Sequence, residues 1–394
     1  MEHPLRPMSH SLVAAQVAAP GLETASRLTD IDRIRVALTV LVIAHHAGQA
    51  YGPTGGRWPV FEPTRAALLG PFFGVNAAFF MGLFFLLAGL FTPAAFDRKD
   101  AQAYLADRLW RLGLPLAIFA LGIVPLVAAR TANPPQPVLG FLARAALTGQ
   151  LEFGHLWFVL HLLIYAALYA LWRAAGGNRI EARLAELPPP GHRAILGYTI
   201  CLALVTALVR LWYPIDAWLR LLGIPVEVAH LPQYMSLFVL GLVAGRAGWR
   251  RRLRARVGYI WLCVGLTAAA LRFLVELDGM PAPHGGLVAS GGADWRSLVW
   301  SSWEALICVG LCVGLVSLAA RQVSVPSRAE QAVVASAYGA YLIHIFPVVG
   351  LQQLFLPLAL GPLAKWTLVT LLAAPLSFLL AAALRRIPGA SRVL

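Results

Sequence analysis

Membrane-length runs of apolar residues recur along almost the whole chain, and no other feature restricts its folding as much. They lie near 31–50, 71–92, 111–129, 154–172, 194–212, 232–248, 257–275, 297–319, 332–351 and 366–384. A helix needs about 20 apolar residues to cross a bilayer core of about 30 Å. In hydrocarbon every backbone N–H and C=O must find its partner within the protein, which helices achieve. The reading is therefore all-α: a polytopic membrane helical bundle of about ten transmembrane helices. Composition agrees, with 59% hydrophobic and 13% charged residues. A soluble protein must solvate its surface and rarely reaches that apolar content.

The formal net charge of +14 invites a nucleic-acid partner. The basic residues argue otherwise, because they sit in short loops between apolar runs. Twenty-three of the 32 lysines and arginines fall on one side of the expected bilayer, with "RAGWRRRLRAR" at 246–256 the densest block. Such alternation is a topology signal. It predicts both termini in the cytoplasm and a multi-pass protein of the plasma (inner) membrane, with the lipid bilayer and no nucleic acid as partner. The domain reading is a disordered cytosolic tail over 1–28, a transmembrane domain over 29–386 and a short cytosolic end over 387–394. Cys201, Cys263, Cys308 and Cys312 all lie inside apolar runs and read as small apolar filler. No His, Asp or Glu cluster has metal-ligand spacing on one helix, so no metal is expected.

Four stretches carry polar chemistry. The first is "DRIRVALTVLVIAHHAGQAYG", from Asp32 to Gly52. Arg35 and His46 are eleven residues apart, three turns plus about 20°, so they share a stripe about 16 Å long. Asp32 joins that stripe, while His45 faces elsewhere. An ionisable residue at the depth of His46 is costly in lipid and should face protein or water. A structural histidine bonded to a carbonyl or tyrosine accounts for it equally well. The second is "DRKDAQAYLADRLWRLGLPL" (97–116), with Arg108 and Arg111 on one face and Arg98 and Lys99 upstream. Inner-side anchoring explains the charge. Guanidinium groups at that position could also grip phosphates through paired hydrogen bonds.

The third is "EFGHLWFVLHLLIYAALY" (152–169). Glu152 and His155 form a possible outer-side polar pair, and Trp157 reads first as an interface anchor. The fourth is "YGAYLIHIFPVV" (338–349), where Tyr338, Tyr341 and His344 recur every three residues. Hydrogen bonding between helices is the plainer role for them.

In their order, these stretches resemble the integral-membrane acyltransferases of acyltransferase family 3, proteins of the O-antigen- and glucan-modifying type. The matching features are Asp32 and Arg35-x10-His46, "FFMGLFFLLAGLFTPAAF" at 79–96, Arg108-x-x-Arg111, "GHLWFV" and the late "Y-x-x-Y-L-I-H". Ala88 stands before Gly89 where that family commonly has serine, so no hydroxyl role falls there.

The resemblance implies an O-acyltransferase that moves an acyl group from cytoplasmic acyl-CoA to a hydroxyl of a carbohydrate, glycolipid or related acceptor. Acyl-CoA is then a donor substrate, and no permanently bound cofactor is expected. The implied catalytic set is His46, Arg35 and Asp32. Arg108, Arg111, Arg98 and Lys99 would meet the donor's phosphates. His45, Glu152, His155, Trp157, Tyr341 and His344 would line the substrate path. Histidine suits a base near neutral pH because its unperturbed pKa is about 6.5. His46 could take the acyl group itself instead, and His45 is its rival. A secondary transporter or a lipid or glycan flippase is the alternative reading. It also fits ten spans, buried histidines and a basic inner face.

Overall fold

The computed structural model describes residues 20–53, 58–131, 137–149, 151–215, 217–221, 223–277, 291–321 and 325–394. Residues 1–19 of the expected tail lie outside these. The first helix, α1 (Pro20–Gly48), begins at Pro20. It is followed by α2 (Leu69–Asp97), α3 (Ala101–Val127), the short α4 (Val138–Leu147), α5 (Gly154–Ala185) and α6 (His192–Arg210). A two-stranded antiparallel hairpin comes next, β1 (Trp218–Leu221) with β2 (Ile224–Glu227). Helices α7 (Val228–Arg246), α8 (Ala255–Val275) and α9 (Trp295–Ala319) precede a broken pair, α10 (Arg328–Ile343) and α11 (Ile345–Phe355), and α12 (Pro362–Leu384) closes the series.

The chain is thus a helical membrane bundle with almost no strand. Among the described residues, eight helices are long and apolar enough to cross a membrane, and the α10–α11 pair makes a ninth candidate. The run expected at 332–351 is not one straight helix but bends by 65° at His344. Pro347 supplies the reason. It has no N–H for the carbonyl four residues back, and its ring crowds that carbonyl. The hairpin was not expected from the apolar runs.

Helix α1 is absent from the apolar set because its basic-side end carries Asp30, Asp32, Arg33 and Arg35. Those charges are paired across the bundle. Arg33 Nε lies 2.5 Å from Glu330 Oε1 on α10, and Arg250 Nη1 lies 3.0 Å from Asp30 Oδ2. Ser327 caps α10 by accepting the Glu330 N–H at 3.2 Å, which holds Glu330 at the helix start. Two ties therefore fix the end of α1 against its neighbours, and Asp32 and Arg35 face a cavity between them.

The main core lies where α2, α5, α7 and α9 meet, around Leu83, Phe85, Val159, Leu237 and Ile307. Helices α2 and α7 approach closely enough for backbone to touch backbone. A Cβ on Gly241 would run into the Leu86 carbonyl oxygen, and one on Gly89 into that of Phe238. Without a hydrophobic drive between helices in lipid, such close van der Waals contact is what holds a pair together. Gly241 and Gly245 are thus the packing surface of α7. Substituting Gly241→Val should lower the midpoint of thermal unfolding in detergent by the equivalent of about 1–3 kcal/mol. Gly197→Ala, on α6 with open space around it, should leave that midpoint almost unchanged.

Candidate active site

The break at His344 exposes carbonyls that an unbroken helix would have used. Two of them take up histidines. His344 Nδ1 lies 2.6 Å from the Tyr341 carbonyl, and His155 Nε2 lies 3.0 Å from the Leu342 carbonyl. The hydroxyl of Tyr341 then donates to the His155 carbonyl at 2.6 Å. These bonds assign the tautomers. With its Nδ1 proton on Tyr341, neutral His344 has a bare Nε2. That atom sits 2.9 Å from His46 Nδ1. His46 therefore donates through Nδ1 and keeps its Nε2 lone pair. The three rings form one group, with centroids 4.9 Å apart for His46–His344 and for His155–His344, and 6.3 Å for His46–His155.

Trp58 stacks on His46 at 5.6 Å, with 15° between the ring planes. Its indole N–H donates to Gln352 Oε1 at 2.8 Å, and Gln352 Nε2 donates to the Ala47 carbonyl at 2.9 Å. His344 and Gln352 are fully buried, whereas His46 is half-buried. His45 turns away toward Phe73 and Phe80, at 5.0 and 5.2 Å, and its Nδ1 has no hydrogen-bond partner.

At the basic end lies a cavity of about 550 Å³. Asp32, Arg35, Arg108, Arg111 and Arg385 line it, together with Tyr104, Tyr338 and Tyr341. Arg35 Nη1 donates to Asp32 Oδ1 at 3.0 Å, and its guanidinium lies 4.8 Å from the Phe91 ring centre. Arg108 lies over Tyr104 at 5.1 Å, and its buried Nε has no hydrogen-bond partner. Tyr338 donates to the Arg111 carbonyl at 2.7 Å. Arg385 donates to the Leu394 carbonyl at 2.9 Å, which brings Leu394 into the wall. Thr39 forms the side of the cavity on α1. His46 lies seven residues on, two turns further along the same stripe. The three histidines are not part of the lining; Tyr341 stands between them and the cavity.

The structure thus brings together His46, His155, Tyr341 and His344 at one place and Asp32, Arg35, Arg108 and Arg111 at another. It puts Arg98 and Lys99 outside the cavity wall, with Lys99 Nζ 3.2 Å from Asp107. Glu152 pairs with Arg220 of β1, and Trp157 packs on Trp218 of the same strand at 5.4 Å. Those two tie α5 to the hairpin rather than joining the histidines. Among the described residues, no group of three His, Cys, Asp or Glu is arranged to hold a metal ion.

Sequence reasoning missed several residues. Trp58 and Gln352 bear directly on His46 and carried no signal in the sequence. A second buried polar group also escaped it. Glu304 on α9 receives Arg210 at 2.5 Å and Arg272 at 3.3 Å, and Arg210 Nη2 lies 3.5 Å from His230 Nε2. Glu227 lies 3.0 Å from His230 Nδ1 and accepts from Tyr234 at 3.1 Å. Arginines 210 and 272 and Glu304 all lie within apolar runs, and that placement was the available signal.

Comparison with curated proteins and with solved structures returned no match. The family model described as an acyltransferase domain matches residues 28–385. That span takes in both polar groups of the site and nearly every helix of the bundle, so the chain belongs to the acyltransferase 3 family and is a multi-pass membrane acyltransferase.

Proposed function

We propose that the protein is an acyl-CoA-dependent O-acyltransferase of the plasma (inner) membrane, acting on a hydroxyl of a carbohydrate, glycolipid or related acceptor. The observation that carries the reading is the basic cavity that ends at Tyr341, one hydrogen bond away from the imidazole group. A CoA thioester is a polyanion with a reactive end. Arg108, Arg111 and Arg35 suit its phosphates, and the unpartnered Nε of Arg108 is a donor in need of an acceptor. Basic residues gathered at one end fit a cytoplasmic donor. The carbohydrate class of acceptor rests on the family resemblance.

His46 is the base. Its Nε2 takes the proton of the acceptor hydroxyl as that oxygen attacks the thioester carbon. The C–S bond breaks, and the CoA thiolate leaves with a proton returned from the imidazolium. The new bond is an ester, and CoA thiol is released. His344 orients His46 and shares the developing positive charge, because its Nε2 accepts the His46 Nδ1 proton. Arg35 and Asp32 hold one another at the mouth and set the donor's position.

Purified protein supplied with acyl-CoA and a hydroxyl acceptor should release CoA thiol. His46→Ala should lower kcat by about 10²–10⁴-fold, and full turnover by that variant would overturn the role. His344→Gln should cost less than His46→Ala. Trapping an acyl-imidazole on His46 would make it the carrier of the acyl group rather than a base.

Arg108→Gln and Arg111→Gln should each raise KM for acyl-CoA by about ten-fold through a lost charge-assisted bond, with acceptor KM little changed. An unaltered donor KM would remove the phosphate role. Transport or flipping of a glycolipid with no thiol release would favour the alternative reading, a secondary transporter or flippase.

A further inference from the structure

A second cavity, of about 190 Å³, lies beside α2 and shares Leu87 with the wall of the basic one. Its walls are almost wholly aliphatic, with Leu240, Ala244 and Val313 among them, and Trp249 and Arg250 stand at its rim. A recess of about 630 Å³, walled in part by Pro188 and Pro189, adjoins it. Pro190 belongs to both walls, and Leu253 of the first is followed directly by Arg254 of the second. Arg254, Arg256 and His192 line the recess.

The arginines of this basic block divide into two kinds. Arg246 pairs with Asp97 and Glu181, Arg250 with Asp30, and Arg252 donates to the Ala247 carbonyl at 2.9 Å. Arg251, Arg254 and Arg256 are exposed, and their side chains make no ion pair or hydrogen bond among the described residues; of the three, Arg254 and Arg256 line the recess. Two uncompensated cations therefore face a recess that continues into an apolar slot, with a half-buried tryptophan at the junction. A soluble anion would use the cations and leave the slot empty. A neutral lipid would fill the slot and leave the cations unanswered. We propose that this is a binding site for one anionic phospholipid of the cytoplasmic leaflet, with its phosphate between Arg254 and Arg256 and one acyl chain in the cavity between α2, α7 and α9. Basic residues close to an anionic leaflet attract such lipids, and tryptophan favours the headgroup boundary.

The test uses the full-length chain purified in detergent, with no acyl donor present, so its outcome does not depend on acyl transfer. Dioleoyl phosphatidylglycerol or dioleoyl phosphatidylcholine is added, and retained lipid is read by native mass spectrometry. The expected result is one phosphatidylglycerol retained about ten-fold or more in preference to phosphatidylcholine. Arg254→Gln/Arg256→Gln, a surface change that leaves the core untouched, should abolish that preference. Ala244→Phe should block retention while the arginines stay in place. Equal retention of the two lipids, an unchanged preference in the double variant, full retention by Ala244→Phe, or displacement of the lipid by free glycerol 3-phosphate would each overturn the proposal.

Discussion

The break in the chain at His344 is the constraint on which the site depends. Within a membrane, an unsatisfied carbonyl costs several kcal/mol, so a helix cannot simply stop. Pro347 forces the interruption, and the freed carbonyls must be answered from nearby. His344 answers Tyr341 and His155 answers Leu342. The cost of the break and the orientation of two imidazoles are thus one arrangement. The third imidazole follows from it, since a neutral His344 with its Nδ1 proton committed can only accept from His46. Trp58 and Gln352 complete the support by closing the open face of that ring. Two of the three imidazoles are held by main-chain carbonyls.

The rest of the bundle serves to bring α1 to that break. Its basic-side end is too charged to be an ordinary span, and it stays in place because Asp30 and Arg33 have partners on other elements. Arg35 and Asp32, left over from that pairing, meet Arg108 and Arg111 of α3 across the cavity. The stripe Arg35, Thr39, Val42, His46 then runs along one face of the helix from that cavity to the imidazoles. On the other side of the bundle, Glu304 between Arg210 and Arg272 locks α6, α8 and α9 together. Removing one member of such a buried set leaves an unpaired charge and costs about 3–5 kcal/mol.

Much of this was legible in the sequence. Runs of apolar residues with alternating basic loops gave the bundle, since the bilayer leaves few alternatives. Helical spacing put Arg35 and His46 on one stripe, and the cavity wall follows it. The meeting of His46 with His155 and His344 was not legible: the sequence put His46 in the catalytic set and the other two along the substrate path, because pairing across 298 residues depends on how helices pack. The bend could have been read from Pro347, but its outcome could not. Whether a freed carbonyl finds a histidine is a matter of tertiary placement. Arg98 and Lys99 were grouped with Arg108 and Arg111 by closeness in sequence, yet the turn before α3 points them out of the cavity. Gly241 and Gly245 drew no reading from the sequence, whereas in a tight helix pair they are what lets α7 pack.

Tyr341 joins the two halves of the site through three separate contacts. Its ring belongs to the wall of the basic cavity, its hydroxyl is bonded to the His155 carbonyl, and its own carbonyl holds His344. The wall of the cavity and the imidazoles therefore meet in this one residue. Its side chain reaches α5, while its carbonyl, fixed in the backbone of α10, holds His344. That division of labour between side chain and main chain ties the wall of the basic cavity to the orientation of the His344 ring.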